Sequence, residues 1–152
     1  MDIIIGRAGI EDVNEVAKLF DAYRVFYEQD PDYALALAYL TERLENTESV
    51  IFYAKDTAGT YLGFTQLYPT FCSVAAHRIL VLYDLFVSPD LRSGGIGTQL
   101  LNRAKAHAQE TGARELRLET AKTNVHAQRL YESLGYHKDT EYFSYSMPVE
   151  KD

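Results

Sequence analysis

Asp84-Leu85-Phe86-Val87-Ser88-Pro89-Asp90-Leu91-Arg92-Ser93-Gly94-Gly95-Ile96-Gly97-Thr98 is the stretch whose reading decides the fold of this chain. Its first four residues end an apolar run that begins at Arg78 and has the length of a strand. Ser88-Pro89-Asp90 stops that run with turn chemistry. Three glycines then open a helix whose inner face is Ile96, Leu100, Leu101, Ala104 and Ala108. The first N–H groups of a helix have no partner within it and point outward. Glycine lets a ligand approach such a backbone closely. The helix dipole and the charge of Arg92 make the spot attractive to an anion, and a pyrophosphate fits. No Lys-Ser or Lys-Thr follows the last glycine, so this is not a P-loop, and the spacing is not that of a dinucleotide-binding G-x-G-x-x-G. Taken alone, the glycines fit a plain tight turn equally well.

Upstream, Ile3-Ile4-Ile5 begins a short strand. Val13, Val16, Ala17, Phe20 and Tyr23 recur at helical spacing, and Leu37, Leu40 and Leu44 mark a second helix beyond the Asp30-Pro31-Asp32 turn. Residues 49–55 and 61–68 read as a hairpin around Ala58-Gly59, with a loop over 69–76. Downstream, residues 115–120 alternate Leu116 and Leu118 with charges, as a strand does. Residues 124–134 read as a short helix with Ala127, Leu130, Tyr131 and Leu134 inward and Gly135 capping it. Residues 136–148 are expected to supply one or two last strands. The order predicts one mixed α/β domain over 1–152, with helices covering a sheet.

The 152 residues suit one domain, and 22 acidic against 15 basic residues give a net charge of −7. An acidic body repels polyphosphate backbones, so nucleic-acid binding is not expected, whereas a cationic amine is drawn in. A single cysteine, Cys72, forms no internal disulfide, and no apolar run approaches the roughly 20 residues of a membrane span. With no signal peptide evident, a cytoplasmic location is expected. His77, His107, His126 and His137 lack metal-ligand spacing and read as solvated; no metal is expected.

Two blocks together are similar to the GNAT superfamily of N-acetyltransferases. Arg92-Ser93-Gly94-Gly95-Ile96-Gly97 matches the family's R/Q-x-x-G-x-G/A signature in full. Asn124, Ala127, Leu130, Tyr131, Leu134, Gly135 and Tyr136 match its N-x-x-A-x-x-L-Y-x-x-x-G-F/Y block. One helix and one strand separate them, as in the family. The resemblance implies a GNAT fold of class α/β (α+β): a mixed, mostly antiparallel twisted sheet of six to seven strands and four helices, splayed between the fourth and fifth strands. It implies acetyl-CoA as co-substrate. The amides of Arg92, Ser93, Gly94, Gly95, Ile96, Gly97 and Thr98 would cradle its pyrophosphate. The backbone of Leu85, Phe86 and Val87 would pair with its pantetheine arm, Asn124 would hydrogen-bond that arm, and Ala127 and Tyr131 would border it. A homodimer is expected, as is common in the family.

Acetyl transfer to an amine needs the amine neutral, and a free alkylamine has a pKa of about 10, so a proton must leave. A strand amide near Leu85 is a candidate to stabilise negative charge developing on the acyl oxygen. The leaving thiolate departs more easily when protonated, and Tyr131 is the candidate acid. Asp84 is the candidate base, with Tyr83 and Glu119 as others near the cleft; a structural carboxylate fits Asp84 equally well. Diamine-acetylating members of the family resemble this strand, although Leu85 replaces their aromatic residue and Tyr83 their additional acid. Tyr27, Glu28 and Tyr33 are expected to line the acceptor pocket. With no activated nucleophile at Cys72, direct transfer is expected. The leading reading is acetylation of a primary amine of a small molecule. The alternatives are a protein lysine or N-terminal acetyltransferase and a non-catalytic acyl-CoA-binding module.

Overall fold

The computed structural model describes residues 2–92 and 94–151. Ser93, singled out in the glycine signature, lies outside the described residues. The chain divides into two compact units, one up to Glu119 and one from Thr120 onward.

The first unit holds, in order, β1 (Ile3–Arg7), α1 (Val13–Phe26), α2 (Tyr33–Glu45), β2 (Val50–Asp56), β3 (Tyr61–Cys72), β4 (His77–Val87), α3 (Ile96–Thr111) and β5 (Leu116–Arg117). The sheet order is β1-β2-β3-β4-β5. The first three pairings are antiparallel and β4–β5 is parallel, which is what the α3 crossover between them requires. Apolar residues alternate across the sheet and feed two cores. On one side Ile51, Phe64 and Phe86 meet Val16, Ala17 and Phe20 of α1 and Ala36 and Leu40 of α2. On the other side α3 packs against the sheet and buries Leu100, Leu101 and Ala104. A fully buried ring such as Phe64 contributes roughly 1.5–3 kcal/mol relative to an exposed one.

Three expectations are corrected. Residues 69–72 belong to β3, because the long partner β4 carries the ladder on to Cys72↔His77 despite Pro69. His107 is buried, stacked edge-on against Phe52 with ring centroids 5.5 Å apart. It occupies the same helical stripe as Ala104 and Ala108. Burial, together with the charges of Arg7 and Arg103, pushes its pKa down.

The sheet has five strands among the described residues, not six or seven. The second unit holds one helix, α4 (Val125–Ser133), and residues 136–148 form no strand. Phe143, Tyr145 and Met147 alternate as a strand would, yet each is at least 84% exposed. Alternation sets which way side chains point; only a paired edge makes a strand.

Candidate active site

β4 is paired differently along its length. Its first half bonds on both sides: β3 flanks one edge, and β5 pairs with Leu80 and Val81 on the other. The Leu80 N–H donates to the Glu115 carbonyl at 3.0 Å. Beyond Val81, β5 pairs no further. The β3 register jumps from Leu67↔Leu82 to Gln66↔Asp84, so Tyr83 is the extra residue of a bulge. Past the bulge, the Ser88 N–H donates to the Leu62 carbonyl at 2.9 Å. Antiparallel bonds alternate, so Asp84 and Phe86 turn their backbone groups toward β3. Leu85 and Val87 turn theirs toward the side that β5 has left. That gives the splay expected between the fourth and fifth strands.

The strand then enters the glycine loop. Gly95 caps α3 in the left-handed conformation, at φ 85°, and a Cβ there would meet open space. The helical ladder begins with the Gln99 N–H to the Gly95 carbonyl at 3.1 Å, leaving the Ile96, Gly97 and Thr98 amides outside it. A cavity of about 330 Å³ lies against Asp90, Leu91, Arg92, Gly94, Ile96 and Gln99, with Ile3 across from them. Free amides beside the open space at Gly95 suit a pyrophosphate. Arg92 is folded back: its Nε donates to the Val87 carbonyl at 3.1 Å and its guanidinium covers Phe26 and Phe86, 5.1 and 5.4 Å from their ring centres. Its charge is thus fixed at the mouth of the splay.

Asp84 is only 3% exposed, within a shell of rings. Its Oδ2 accepts from Gln66 Nε2 at 2.7 Å, and its carboxyl also hydrogen-bonds with Tyr23. The Tyr23 hydroxyl lies 3.3 Å from the Tyr83 carbonyl, to which it donates. Tyr68 stacks edge-on with Tyr83 and shares a 2.6 Å hydroxyl contact with Tyr39. Burial pushes the Asp84 carboxyl above the usual carboxylate range, while the Gln66 and Tyr23 hydrogen bonds pull it back down. Burial first and the neighbouring Asp84 second push the Tyr23 phenol far up, so Tyr23 stays neutral.

The other acceptor-side candidates do not all gather here. Tyr27 packs against Tyr23 with centroids 5.0 Å apart, and Tyr83 is exposed beside Asp84. Glu28 is exposed with a left-handed φ of 65°. The Tyr33 hydroxyl donates to the Asn14 carbonyl, near the opposite end of α1 from Tyr27, about 20 Å along the helix at 1.5 Å per residue. Glu119 is exposed beyond β5. Gln66 was missed by sequence reasoning, although alternation along Phe64, Gln66 and Tyr68 puts it on the same face as the core.

In the second unit Asn124 caps α4, its Oδ1 accepting from the Ala127 N–H at 3.2 Å. That leaves its side-chain amide N–H₂ for another partner. The helix ends in a Schellman motif: the Tyr136 N–H donates to the Tyr131 carbonyl at 3.0 Å and the Gly135 N–H to the Glu132 carbonyl at 3.1 Å. Gly135 takes φ 97°, and the Tyr131 and Tyr136 rings lie 5.8 Å apart. The G-Y end of the second block is therefore the device that sets the Tyr131 ring against Tyr136.

A strand that loses its neighbour, runs into a glycine loop and opens a helix is what an acyl-CoA-dependent transferase fold requires, and known proteins of that class resemble this chain. The model of the acetyltransferase (GNAT) family matches residues 13–136, and the chain belongs to that family. It is an acyltransferase of the acetyl-CoA-dependent N-acetyltransferase type. It is 47% identical over 145 residues to an uncharacterized N-acetyltransferase of Bacillus subtilis, covering 95% of this chain and 97% of that one. The crystal structure of a probable acetyltransferase superposes with a TM-score of 0.90 at 36% identity, over 100% of both chains. An aminoglycoside N-acetyltransferase solved with a bisubstrate analogue containing CoA shares the fold, with a TM-score of 0.81 at 21% identity over 98% of this chain and 100% of that one.

Proposed function

We propose that this enzyme moves an acetyl group directly from acetyl-CoA to a primary amine of a small molecule, with Asp84 as the general base. The observation that carries this reading is a carboxyl sealed among aromatic rings on the part of β4 that β5 leaves unpaired. Bound acetyl-CoA supplies the activated acyl group. The amides of Ile96, Gly97 and Thr98 and the charge of Arg92 would hold its diphosphate, and the Leu85 and Val87 backbone its pantetheine arm.

An ammonium ion is attracted both to a carboxylate and to aromatic faces, so the Tyr27, Tyr83 and Asp84 side of β4 favours a cationic amine. Asp84 takes the amine proton through a bridging water, since its own carboxyl is buried. Burial suits that role: a carboxyl pushed upward is a stronger base than an exposed one. Tyr131 is the proposed acid toward the leaving sulfur, on the strength of the block around it. The family match crosses from the first unit into the second, which supports reading residues 1–152 as one GNAT domain. An aminoglycoside N(6')-acetyltransferase of Stenotrophomonas maltophilia is 24% identical over 79% of this chain, which makes aminosugars one acceptor class to include.

Release of free CoA from acetyl-CoA, measured across diamines, amino acids, aminosugars and lysine peptides, tests the reading. Turnover with at least one small amine and none with peptides is expected. Turnover confined to peptides would overturn it.

A further inference from the structure

Asp84 is the end of a buried polar chain that runs from the start of β2 across β3 to β4. The Ser49 hydroxyl, just before β2, donates to Gln66 Oε1 at 2.8 Å, and Gln66 Nε2 donates to Asp84 Oδ2 at 2.7 Å. Ser49, Gln66 and Asp84 are 4%, 0% and 3% exposed. Three buried polar side chains in a row cost desolvation and return only a modest net gain from their bonds. An apolar residue in place of Gln66 would share the face of Phe64 without that cost. The proposed transfer of a proton from the amine does not itself use Ser49 or Gln66.

We infer that Gln66, held in one orientation by Ser49, is a positioning residue that aims the Asp84 carboxyl and stabilises its charged form. The inference rests on Asp84 being the base. An amide has a donor end and an acceptor end, and an ionised carboxylate accepts only. Donation from Ser49 to Oε1 turns the donor end, Nε2, toward Asp84. Tyr23 holds the carboxyl from the other side. Its single proton goes either to Asp84 or to the Tyr83 carbonyl, so it stabilises the charged carboxylate only part of the time. Gln66 offers Asp84 an N–H with no competing acceptor among its recorded bonds.

Among the described residues, no cation is recorded acting on Asp84. α1 presents Tyr23 and, behind it, Tyr27; β3 presents Tyr68; β4 itself presents Tyr83. Tyr39 and Arg43 of α2 act on Tyr68 rather than on the carboxyl directly. The Gln66 N–H is thus the principal fixed donor opposing the upward push of burial on the carboxyl.

Gln66→Met and Ser49→Ala test this, with Asp84→Asn as reference. The readouts are the pH profile of kcat/KM and the titration of the Asp84 carboxyl followed by 13C NMR. Gln66→Met is expected to move the acid limb of the profile and the NMR midpoint up by about one pH unit or more, the scale of one hydrogen bond to a charged group. The rate loss should be largest at acidic pH and shrink toward alkaline pH. Ser49→Ala should move both in the same direction by less. A mainly structural role would lower the rate evenly across pH and leave the midpoint in place, which overturns the inference. If Gln66→Met fails to fold, Ser49→Ala decides: an unmoved midpoint overturns the inference. An Asp84→Asn enzyme that keeps its acid limb removes Asp84 as the base, and the NMR midpoint still decides whether Gln66 governs the carboxyl. An Asp84→Asn enzyme that loses the limb, beside a Gln66→Met enzyme with an unmoved midpoint, leaves the base standing and removes Gln66.

Discussion

The two halves of β4 share one strand and do opposite things. From His77 to Val81 it pairs with β3, and at Leu80 and Val81 also with β5, and its buried residues Ile79 and Leu80 are core. From Leu82 to Val87 it keeps β3, gains the Tyr83 bulge and loses β5. The same strand thus changes from paired on both edges to paired on one within a few residues. Unpaired backbone groups are costly where water is excluded, and a fold keeps them only where something else can bond to them. The buried carboxyl stands just past the point where the partner strand departs.

Substitutions on either side of that point should separate rate from stability. The largest effect is expected outside β4 altogether. Tyr131→Phe keeps the ring against Tyr136 and removes the candidate acid, so kcat should fall by roughly 10²–10⁴-fold with CoA affinity intact. The loss should shrink with acyl donors whose thiols are more acidic. Stopped-flow rates under chemistry-limited conditions check this; near-normal kcat would place the proton donor elsewhere.

Next is Gly97→Asp, which puts a carboxylate among the first amides of α3. Like charge against a diphosphate should weaken CoA binding by about 100-fold, the scale of such juxtapositions. Calorimetry on the folded variant measures it, and an unchanged affinity would remove the loop from the site.

In the paired half, Leu80→Ala should instead destabilise the protein by roughly 2–5 kcal/mol, as core truncations do. Urea unfolding reads the loss. The kcat of the molecules that remain folded should stay near wild type, and a large fall in it would erase the distinction between the halves.

The smallest effect concerns Asp84 and stability. Its folded pKa is raised, so the folded state binds the proton more tightly than the unfolded chain does. That contribution is fully present below the unfolded value of about 3.9 and is lost as pH rises through the folded pKa. Asp84→Asn, which carries no charge to bury, should therefore raise Tm at pH 7, and the gain should vanish near pH 4. Thermal scans at the two pH values give the sign, and a lower Tm at pH 7 would mean that the carboxylate is net stabilising.

What was legible in the sequence was local. The glycine loop, the α3 stripe from Ile96 to Ala108 and the Gly135 cap each depend on neighbours a few residues apart, and each stands in the structure as read. The Tyr83 bulge was not legible, because one extra residue on a strand is defined only by what lies opposite. The chain through Ser49, Gln66 and Asp84 was hidden for the same reason, since it joins β3, β4 and the residue before β2 by side chains far apart in sequence. His107 could have been found: it continues the inner stripe of α3, and only its polarity argued for water. The alternation at Phe143, Tyr145 and Met147 read as a strand, but alternation carries no information about a pairing partner.

The account stands on Asp84 as the base at the unpaired end of β4. The most direct measurement is the pH profile of kcat/KM for wild type and Asp84→Asn with acetyl-CoA and the best amine acceptor. Wild type should show an acid limb set by one carboxyl. Asp84→Asn should lose that limb and fall by roughly 10²–10⁴-fold on the plateau, with CoA binding unchanged. An Asp84→Asn enzyme with a near-wild-type plateau and the same acid limb would contradict it.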